Sequence, residues 1–257
     1  CPATGRNILT ETNPQLFIGT SGWNYKAWKA DFFAGVVQKK WLAHYTKYFN
    51  AVEVNATFYR LLQENIISSW KTRTPDDFFF AIKGSRYTTH TKRLKDPLQA
   101  VQKQKNNVLP LQHKLPAVLW QLPASFPVDA DRLRAFADAL QSWKEVRHVL
   151  EFRDSSWFVP EVASLLEDRG LAVCISDAAD WPRWDAVSTD MVYVRLHGRT
   201  QTYQSAYTEE ELAQWARKVE AWRHEGKTVH VYFDNTDGPA APQNALRFKE
   251  ILDTGGL

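Results

Sequence analysis

Three pairs of polar residues that could transfer protons or bind charged groups lie inside short apolar segments. The pairs are Glu53 with Asn55, Glu151 with Arg153, and Arg195 with His197. The members of each pair are two residues apart, so on a strand their side chains would share one face. Acids and bases gathered in this way tune one another's pKa values and can act as a catalytic acid/base set. They could equally form a structural salt-bridge network, and the sequence leaves both interpretations open.

A strongly basic segment, residues 83–95, follows another apolar run and suggests an anion site. Lys83 and His90 lie near its start, where they could hold a phosphate or carboxylate by charge-assisted hydrogen bonds. We interpret residues 92–95 as a solvated charged loop. Residues 19–22 (Gly-Thr-Ser-Gly) predict a tight turn, which is either a plain turn or one whose amides and hydroxyls face a ligand.

The elements that would position these residues alternate between short apolar runs and longer amphipathic ones. The predicted strands are Leu16–Thr20, Ala51–Asn55, Phe78–Lys83, Ala117–Leu122, His148–Arg153, Leu171–Asp177, Met191–His197 and His230–Asn235. Each run is nearly continuously apolar, which is typical of parallel strands buried on both faces. The predicted helices are Trp41–Phe49, Glu64–Arg73, Pro97–Val108, Asp131–Trp143, Val162–Arg169, Glu209–His224 and Gln243–Leu252. Between the sixth and seventh strands only a short turn is predicted.

This alternation predicts an α/β fold, the (β/α)₈ barrel of the TIM type. Eight strands with intervening helices fit a chain of 257 residues, since such barrels have about 250 residues. An open doubly wound sheet is the alternative, but it usually has fewer strands, and no G-x-G-x-x-G sequence follows a predicted strand. We predict a single barrel domain over residues 16–257, an irregular or missing helix after the sixth strand, and a flexible N-terminal arm over residues 1–15.

Composition and charge exclude several classes of protein. The chain is 44% hydrophobic and 24% charged, which excludes a collagen, a coiled coil and an intrinsically disordered protein. No apolar run approaches the roughly 18 residues that span a bilayer, so no membrane partner is expected. The formal net charge of +3 is too small to make nucleic acid the default partner. Two cysteines and no secretory leader favour the cytoplasm, and the oligomeric state stays open.

In a barrel of this type the functional site lies at the carboxyl ends of the strands and in the loops that follow them. The candidate catalytic residues there are Glu53, Glu151, His197 and His90. The candidate substrate-binding residues are Ser21, Trp23, Tyr25, Asn55, Tyr59, Arg60, Lys83, Gln121, Arg153, Asp177, Arg195, Tyr203 and Asn235. Several acids and His197 could ligate a divalent cation, but no motif with metal-ligand spacing supports this, so no metal and no cofactor is predicted.

Several motifs in chain order resemble those of one known family. They are Gly19-Thr-Ser-Gly-Trp-Asn-Tyr, Glu53-Val-Asn-Ala-Thr-Phe-Tyr-Arg, Phe80-Ala-Ile-Lys with Thr89-His90, Leu119-Trp-Gln-Leu-Pro, Glu151-Phe-Arg-Asp-Ser-Ser-Trp, Tyr193-Val-Arg-Leu-His-Gly and Tyr232-Phe-Asp-Asn. Together they resemble the YecE-like family, a domain family of unknown function (number 72). The resemblance implies a TIM barrel but no assigned reaction. Asp154 stands where the resemblance leads us to expect His, and Asp234 stands where it leads us to expect Asn.

Three functions from different classes are compatible with these residues. The favoured hypothesis is an enzyme, of hydrolase, isomerase or lyase type, that acts by acid/base chemistry on a small anionic substrate, phosphorylated or nucleotide-like. In that hypothesis a glutamate is the general base and a histidine the acid. The alternatives are a nucleic-acid binding or nuclease-like barrel that uses the basic loop and rim aromatics, and a non-catalytic ligand-binding protein. The fold by itself does not choose among them.

Overall fold

The computed structural model describes residues 15–255, apart from the side chain of Gln112. Eight parallel strands form its sheet. They are β1 (Leu16–Thr20), β2 (Ala51–Val54), β3 (Phe79–Lys83), β4 (Ala117–Gln121), β5 (Arg147–Glu151), β6 (Ala172–Ala178), β7 (Met191–Gly198) and β8 (Thr228–Phe233). Each predicted strand is present with its ends shifted by at most two residues. The arm predicted over residues 1–15 lies outside the described residues except for its last residue.

Helices cover the outside of the sheet between most strands. They are α1 (Trp41–Tyr45), α2 (Ala56–Tyr59), α3 (Glu64–Thr72), α4 (Pro97–Val108), α5 (Ala130–Leu140), α6 (Pro160–Asp168), α7 (Glu209–His224) and α8 (Ala240–Thr254). Residues 179–190, between β6 and β7, contain no helix, as the sequence predicted. The helix predicted over Trp41–Phe49 is shorter than expected. None of the helices described is long and apolar enough to cross a membrane.

The strands follow the order β1-β8-β7-β6-β5-β4-β3-β2, so the sheet curls into a nearly closed barrel. First and second strands meet at only one bridge, between Ser21 and Glu53, beside a hydrogen bond of 2.7 Å from the Gly22 amide to the Glu53 carbonyl. The fold expected from the sequence, a TIM-type barrel with no helix after its sixth strand, is therefore confirmed.

Side chains replace the missing backbone pairing along the seam between β1 and β2. The side-chain amide of Asn50 accepts from the Ile18 amide at 2.9 Å and donates to the Leu16 carbonyl at 2.7 Å. Farther along, the Tyr45 hydroxyl accepts from the Thr20 amide at 2.7 Å. Gly19 allows this close approach, because a Cβ there would lie 1.9 Å from the Ala51 carbonyl oxygen.

The barrel interior changes character from one end to the other. Residues facing inward near the amino ends of the strands are buried and mostly apolar. They are Phe17, Ala51, Ala81, Ala117, Leu119, Val149, Ala172, Cys174, Met191, Tyr193 and Tyr232. Because side chains alternate between faces, the next inward positions toward the carboxyl ends are two residues further on. Those positions are polar and buried, and they include Glu53, Lys83, Gln121, Glu151, Ser176, Arg195 and Asp234.

Candidate functional site

The guanidinium group of Arg195 lies at the centre of the polar interior layer, which is where β7 places it. Its Nη2 is 2.8 Å from Oε1 of Glu53 and 2.9 Å from Oδ2 of Asp234. Its Nη1 is 2.7 Å from Oε2 of Glu151. All four side chains are at least 93% buried. The buried carboxylate of Glu53 is therefore paired with Arg195, and this one arginine forms ion pairs with three carboxylates.

These ion pairs fix the ionisation of the layer. Burial alone lowers the pKa of a guanidinium group, but the surrounding carboxylates, Glu53 foremost, raise the pKa of Arg195 well above its usual value. Burial raises the pKa of Glu151, yet Arg195 and Arg153 together hold that pKa well below its ordinary value. The carboxylate of Glu151 is therefore ionised and weakly basic.

Glu53 has both carboxylate oxygens occupied. Oε1 accepts from the hydroxyl of Ser21 and from Arg195. Oε2 accepts from the Tyr193 hydroxyl at 2.7 Å and from Nε of Arg195 at 3.0 Å. A carboxylate with this many donors has few lone pairs left to accept a hydrogen bond from a substrate. The arrangement suits Glu53 to hold Arg195 and Ser21 in place.

Arg153 extends the network toward the open end of the barrel. Its Nε donates to Oε1 of Glu151 at 2.8 Å, and 13% of its side chain stays exposed. Its guanidinium carbon lies 3.6 Å from the ring centroid of Trp181, which belongs to the helix-free segment after β6. The ion pair with Glu151 uses one of the five N–H donors of Arg153, and the Tyr203 hydroxyl interacts with the same guanidinium group.

His197 lies below the same aromatic ring. The rings of His197 and Trp181 are 4.6 Å apart, and Nδ1 of His197 is 2.9 Å from Oδ2 of Asp234 without good hydrogen-bond alignment. Burial, followed by the charge of Arg195, lowers the pKa of His197. The imidazole is therefore neutral near pH 7, but it is fully buried.

Lys83 is the cation of this layer that lacks an anionic partner. Its side chain is 9% exposed, and among the described residues it makes no ion pair and no side-chain hydrogen bond. Its Nζ lies 4.3 Å from the centroid of the Phe58 ring. Burial, then the charge of Arg195, lowers the pKa of Lys83 to about 8. An ammonium group in this setting offers its N–H donors to a ligand at the rim.

Two groups beside Lys83 could also contact a ligand. The ring of His90 lies 5.1 Å from the Phe58 ring, in the π-helical turn Tyr87–Thr91, and its Nδ1 is 2.9 Å from the Thr89 hydroxyl. Burial, then the charge of Lys83, lowers the pKa of His90 to about 4. Asn55 donates to Ser21 at 2.8 Å, while its buried Oδ1 has no partner. Val54 pairs with Ile82, so Asn55 and Lys83 follow at matching positions of neighbouring strands.

The remaining predicted residues either hold the rim of the barrel together or lie at its surface. Tyr25 donates to the Ser21 carbonyl at 2.6 Å, and Asn235 donates to Asn244 at 3.0 Å, so both hold the rim together. The side-chain amide of Gln121 donates to the backbone at Leu122. Three others are half-buried or exposed at the rim: Trp23, Tyr59 and Arg60. Tyr203 lies 5.6 Å from the His197 ring, inside the roof of the site.

Asp177 is not part of the inward-facing cluster. It is the next residue after the inward position of Ser176, so it points to the outside of the barrel. There it accepts from Arg199 at 3.2 Å, from Arg183 at 3.1 Å and from the indole of Trp215 at 3.2 Å. These contacts attach the loops after β6 and β7 to α7.

Four residues of the site were not among the predicted site residues: Phe58, Trp181, Tyr193 and Asp234. Tyr193 precedes Arg195 by two residues, so the same alternation that pairs Arg195 with His197 could have identified it. Asp234 lies among the polar residues at the strand ends and is a possible metal ligand by residue type, but it is not a predicted site residue, and the structure makes it the third carboxylate around Arg195. Phe58 reaches the site from the short helix α2, and Trp181 reaches it from the helix-free segment after β6, for which no periodic pattern in the sequence gives a signal.

The two positions that depart from the family pattern have different surroundings. Asp234 belongs to the buried network just described. Asp154 instead caps the short turn Ser155–Trp157, where its carboxylate accepts from the Ser156 amide at 2.9 Å. No group of three or more His, Cys, Asp and Glu side chains in residues 15–255 is arranged to hold a metal ion. The three carboxylates converge on Arg195, which occupies the space between them.

Comparison with known proteins agrees with this architecture. Residues 17–256 match the family described as "Protein of unknown function DUF72". The UPF0759 protein YunF of Bacillus subtilis is 25% identical over 269 aligned positions, which cover 93% of this chain and 95% of that protein. The crystal structure of a DUF72 family protein from Thermotoga maritima superposes with a TM-score of 0.84 and 27% identity, over 93% of this chain and 99% of the other.

A second solved DUF72 family protein, from Enterococcus faecalis, superposes with a TM-score of 0.82 at 19% identity, over 93% of this chain and 96% of that one. At that identity the likeness concerns the fold alone. Since the family match spans nearly all of the described barrel, the protein belongs to the DUF72 family of proteins of unknown function.

Proposed function

We propose that this protein is an enzyme that binds a small anionic substrate, phosphorylated or nucleotide-like, at the carboxyl end of the barrel and acts on it by proton transfer. The observation that carries the proposal is Lys83. A buried ammonium group without an ion pair is costly to maintain, and a bound anion would offset that cost. A solvated surface lysine would have no such requirement.

The division of labour among the cations supports the same location. Arg195 has its N–H groups committed to three carboxylates, so it does not hold the substrate. Arg153 makes one ion pair and is partly exposed at the rim. The anion is therefore held by Lys83 and Arg153, while Arg195 keeps the strand ends in place.

The pKa directions suggest which groups move protons. His90 is half-buried and neutral near pH 7, so its imidazole has a free lone pair for a proton of the substrate, although a pKa of about 4 makes it a weaker base than an ordinary histidine. Lys83, with its pKa lowered to about 8, is mostly protonated at pH 7 and can donate one. In this scheme the glutamates position other groups, because Glu151 is a weak base and Glu53 is saturated with donors.

A ligand titration tests the proposal. Inorganic phosphate and a series of phosphosugars and nucleotides are titrated into the wild type and into the Lys83→Ala and Lys92→Ala variants, and the melting temperature is followed. We expect stabilisation of the wild type and of Lys92→Ala, and at least about ten-fold weaker binding to Lys83→Ala, since a charge-assisted hydrogen bond contributes about 1.5–3 kcal/mol. Equal stabilisation of all three proteins would contradict the proposal.

Nucleic acid is a second candidate partner, supported by one observation. Tyr59 and Tyr87 are 75% and 52% exposed and lie near the basic loop, where their rings are free to stack on bases. A single-stranded oligonucleotide added to the same titration distinguishes the two candidates. Binding that weakens steeply with salt and depends on both tyrosines would favour the nucleic acid over the small substrate.

A further inference from the structure

We propose that Lys83 is a nucleophile that forms an imine with a carbonyl group of the substrate, which makes that substrate an aldehyde or ketone bearing an anionic group. This inference rests on the proposed function, because it places the reacting carbonyl next to the anion held at the rim. It adds a covalent step at Lys83 and a substrate class to it.

The geometry around Lys83 is that of an amine kept free to react. Its Nζ makes no ion pair and no hydrogen bond among the described residues, and it lies 4.3 Å from the centroid of the Phe58 ring. The residue is nine-tenths buried, but Nζ itself is not one of the fully buried polar atoms that lack a partner, so it can be reached from solvent. A lysine activated for imine formation is typically desolvated or placed near another cation, and Lys83 is desolvated by burial and subject to the charges of Arg195 and Arg153.

A second buried lysine of the same chain shows what the alternative looks like. Lys114 is 5% exposed, but its Nζ donates to the Thr74 carbonyl at 2.9 Å and to the Pro75 carbonyl at 2.6 Å. A third bond, of 3.1 Å, reaches the Thr74 hydroxyl. All three N–H donors are used, so Lys114 is a structural lysine. Lys83 is equally enclosed and uses none of its donors.

Ionisation supports the nucleophilic role. Burial lowers the pKa of Lys83 to about 8, so about a tenth of the amine is unprotonated at pH 7, against well below one thousandth for an ordinary lysine. The charged and titratable groups that face Lys83 are Arg195, Arg153, Glu151, Asp234 and His90. The two arginines lower its pKa further, and the two carboxylates oppose them.

The step balances without an oxidant or a reductant. The lone pair of the neutral Nζ forms a bond to the carbonyl carbon, and the carbonyl π electrons move to oxygen, which takes one of the two protons of Nζ to give a neutral carbinolamine. The carbinolamine hydroxyl takes one proton from solvent and leaves as water, while the lone pair of Nζ forms the C=N bond of a protonated imine. Asn55, with its unpartnered Oδ1 at the matching position of the neighbouring strand, is placed to accept a hydrogen bond from the carbinolamine hydroxyl.

Reductive trapping tests the inference. The protein is incubated with glyoxylate, the smallest carbonyl compound carrying a carboxylate, and with sodium cyanoborohydride, and the modified lysines are identified by peptide mass spectrometry. We expect modification of Lys83 at least about ten-fold faster than of any surface lysine at pH 7, because of its larger unprotonated fraction. Its rate should rise with pH and level off above about 8. Lys114 should stay unmodified.

Lys83→Arg is the variant that separates the imine from simple anion binding, because it keeps the positive charge and cannot form the imine. We expect it to lose the adduct. Wild-type protein that binds phosphate yet is modified at Lys83 no faster than at surface lysines would overturn the imine and leave the proposed function standing. Rapid modification of Lys83 without any stabilisation by phosphate would support the imine and contradict the anion site.

Discussion

Two cations of the same interior layer, Arg195 and Lys83, have opposite surroundings. Arg195 is 1% exposed and contacts three carboxylates at 2.7–2.9 Å. Lys83 is 9% exposed and has an aromatic ring as its neighbour instead of a carboxylate. Both come from strand ends of one barrel, so their difference arises from partners supplied by other strands.

That difference distinguishes a buried charge that stabilises the fold from one that is available to a ligand. A buried ion that is fully paired contributes to the architecture, and removing it leaves its partners uncompensated. A buried ion without a partner costs stability in the free protein and is useful only when a ligand or a reaction requires it. In the function that we propose, the β7 side of the layer is the scaffold and the β3 side carries the reactive group.

The largest expected effect comes from Arg195→Met. Three buried carboxylates lose Arg195, Glu151 alone of them keeps a second arginine partner, Arg153, and we expect a loss of about 3–5 kcal/mol in the free energy of unfolding, measured with urea. Without Arg195 to oppose it, burial raises the pKa of Asp234, so the folded state favours the protonated form of that carboxylate. The variant should become more stable as pH falls from neutral, which is the reverse of the wild type.

Arg199→Met is the matched control for that experiment. Arg199 also pairs with a buried carboxylate, that of Asp177, but a third of its side chain is exposed and Asp177 keeps Arg183 as a second partner. A loss of about 1 kcal/mol or less is expected there. Equal losses in the two variants would break the distinction between the central network and the outer one.

Glu151→Gln should have an intermediate effect and a characteristic pH dependence. Against the effect of burial, Arg195 and Arg153 lower the pKa of Glu151 in the folded state. The stability that this carboxylate supplies is therefore complete above its unfolded pKa of about 4.3 and is lost as pH falls toward the folded value. We expect the variant to lose about 1–3 kcal/mol at pH 7 and to differ less from the wild type in acid.

The exposed carboxylate of Glu145, which pairs with Lys105 at the surface, supplies the control through Glu145→Gln. Its unfolding curve should follow the wild type at every pH. A constant difference between Glu151→Gln and the wild type, from neutral pH into acid, would show that the ionisation of Glu151 is not what stabilises the layer.

The smallest effect on stability, and the one of opposite sign, is expected from Lys83→Met. A lowered pKa means that the folded state disfavours the ammonium, so the cost is present below about 8 and disappears as pH rises to the unfolded value of about 10.4. At pH 7 the free energy of unfolding of the variant should equal that of the wild type or exceed it by up to about 1 kcal/mol. This difference should disappear at alkaline pH.

The fully bonded Lys114 gives the contrast through Lys114→Met, which leaves four oxygens without their donor and should lose about 1–3 kcal/mol. A comparable loss in Lys83→Met would mean that Lys83 has a structural partner after all.

Much of this architecture could be predicted because it depends on alternation along strands. The spacing of Glu151 and Arg153 indicated a shared inward face, and so did that of Arg195 and His197. The same alternation places Asp177 on the outer face of β6 and Ser176 on the inner face, once it is known which alternate residues face inward. The sequence does not settle that choice for β6, because small or apolar residues occupy both of its faces.

What could not be predicted depends on contacts between distant loops and on ionisation. Trp181 belongs to a segment without regular structure, so no periodic pattern placed its ring on Arg153. The π-helical turn that carries His90 has no distinguishing sequence signal. Residue type alone suggests a glutamate as the general base, whereas Arg195 of β7 and Arg153, two residues further along the same chain segment, hold the pKa of Glu151 below its ordinary value.

The seam between β1 and β2 is a place where the barrel can open locally. Elsewhere an opening fluctuation must break a ladder of backbone bonds, but here it needs only the release of Asn50, Tyr45 and the single bridge at Ser21. Ser21 also donates to Glu53, so the same fluctuation loosens one end of the carboxylate that orients Arg195. Slow motion of the first strand would thereby reach the charged layer directly, without passing through the outer helices.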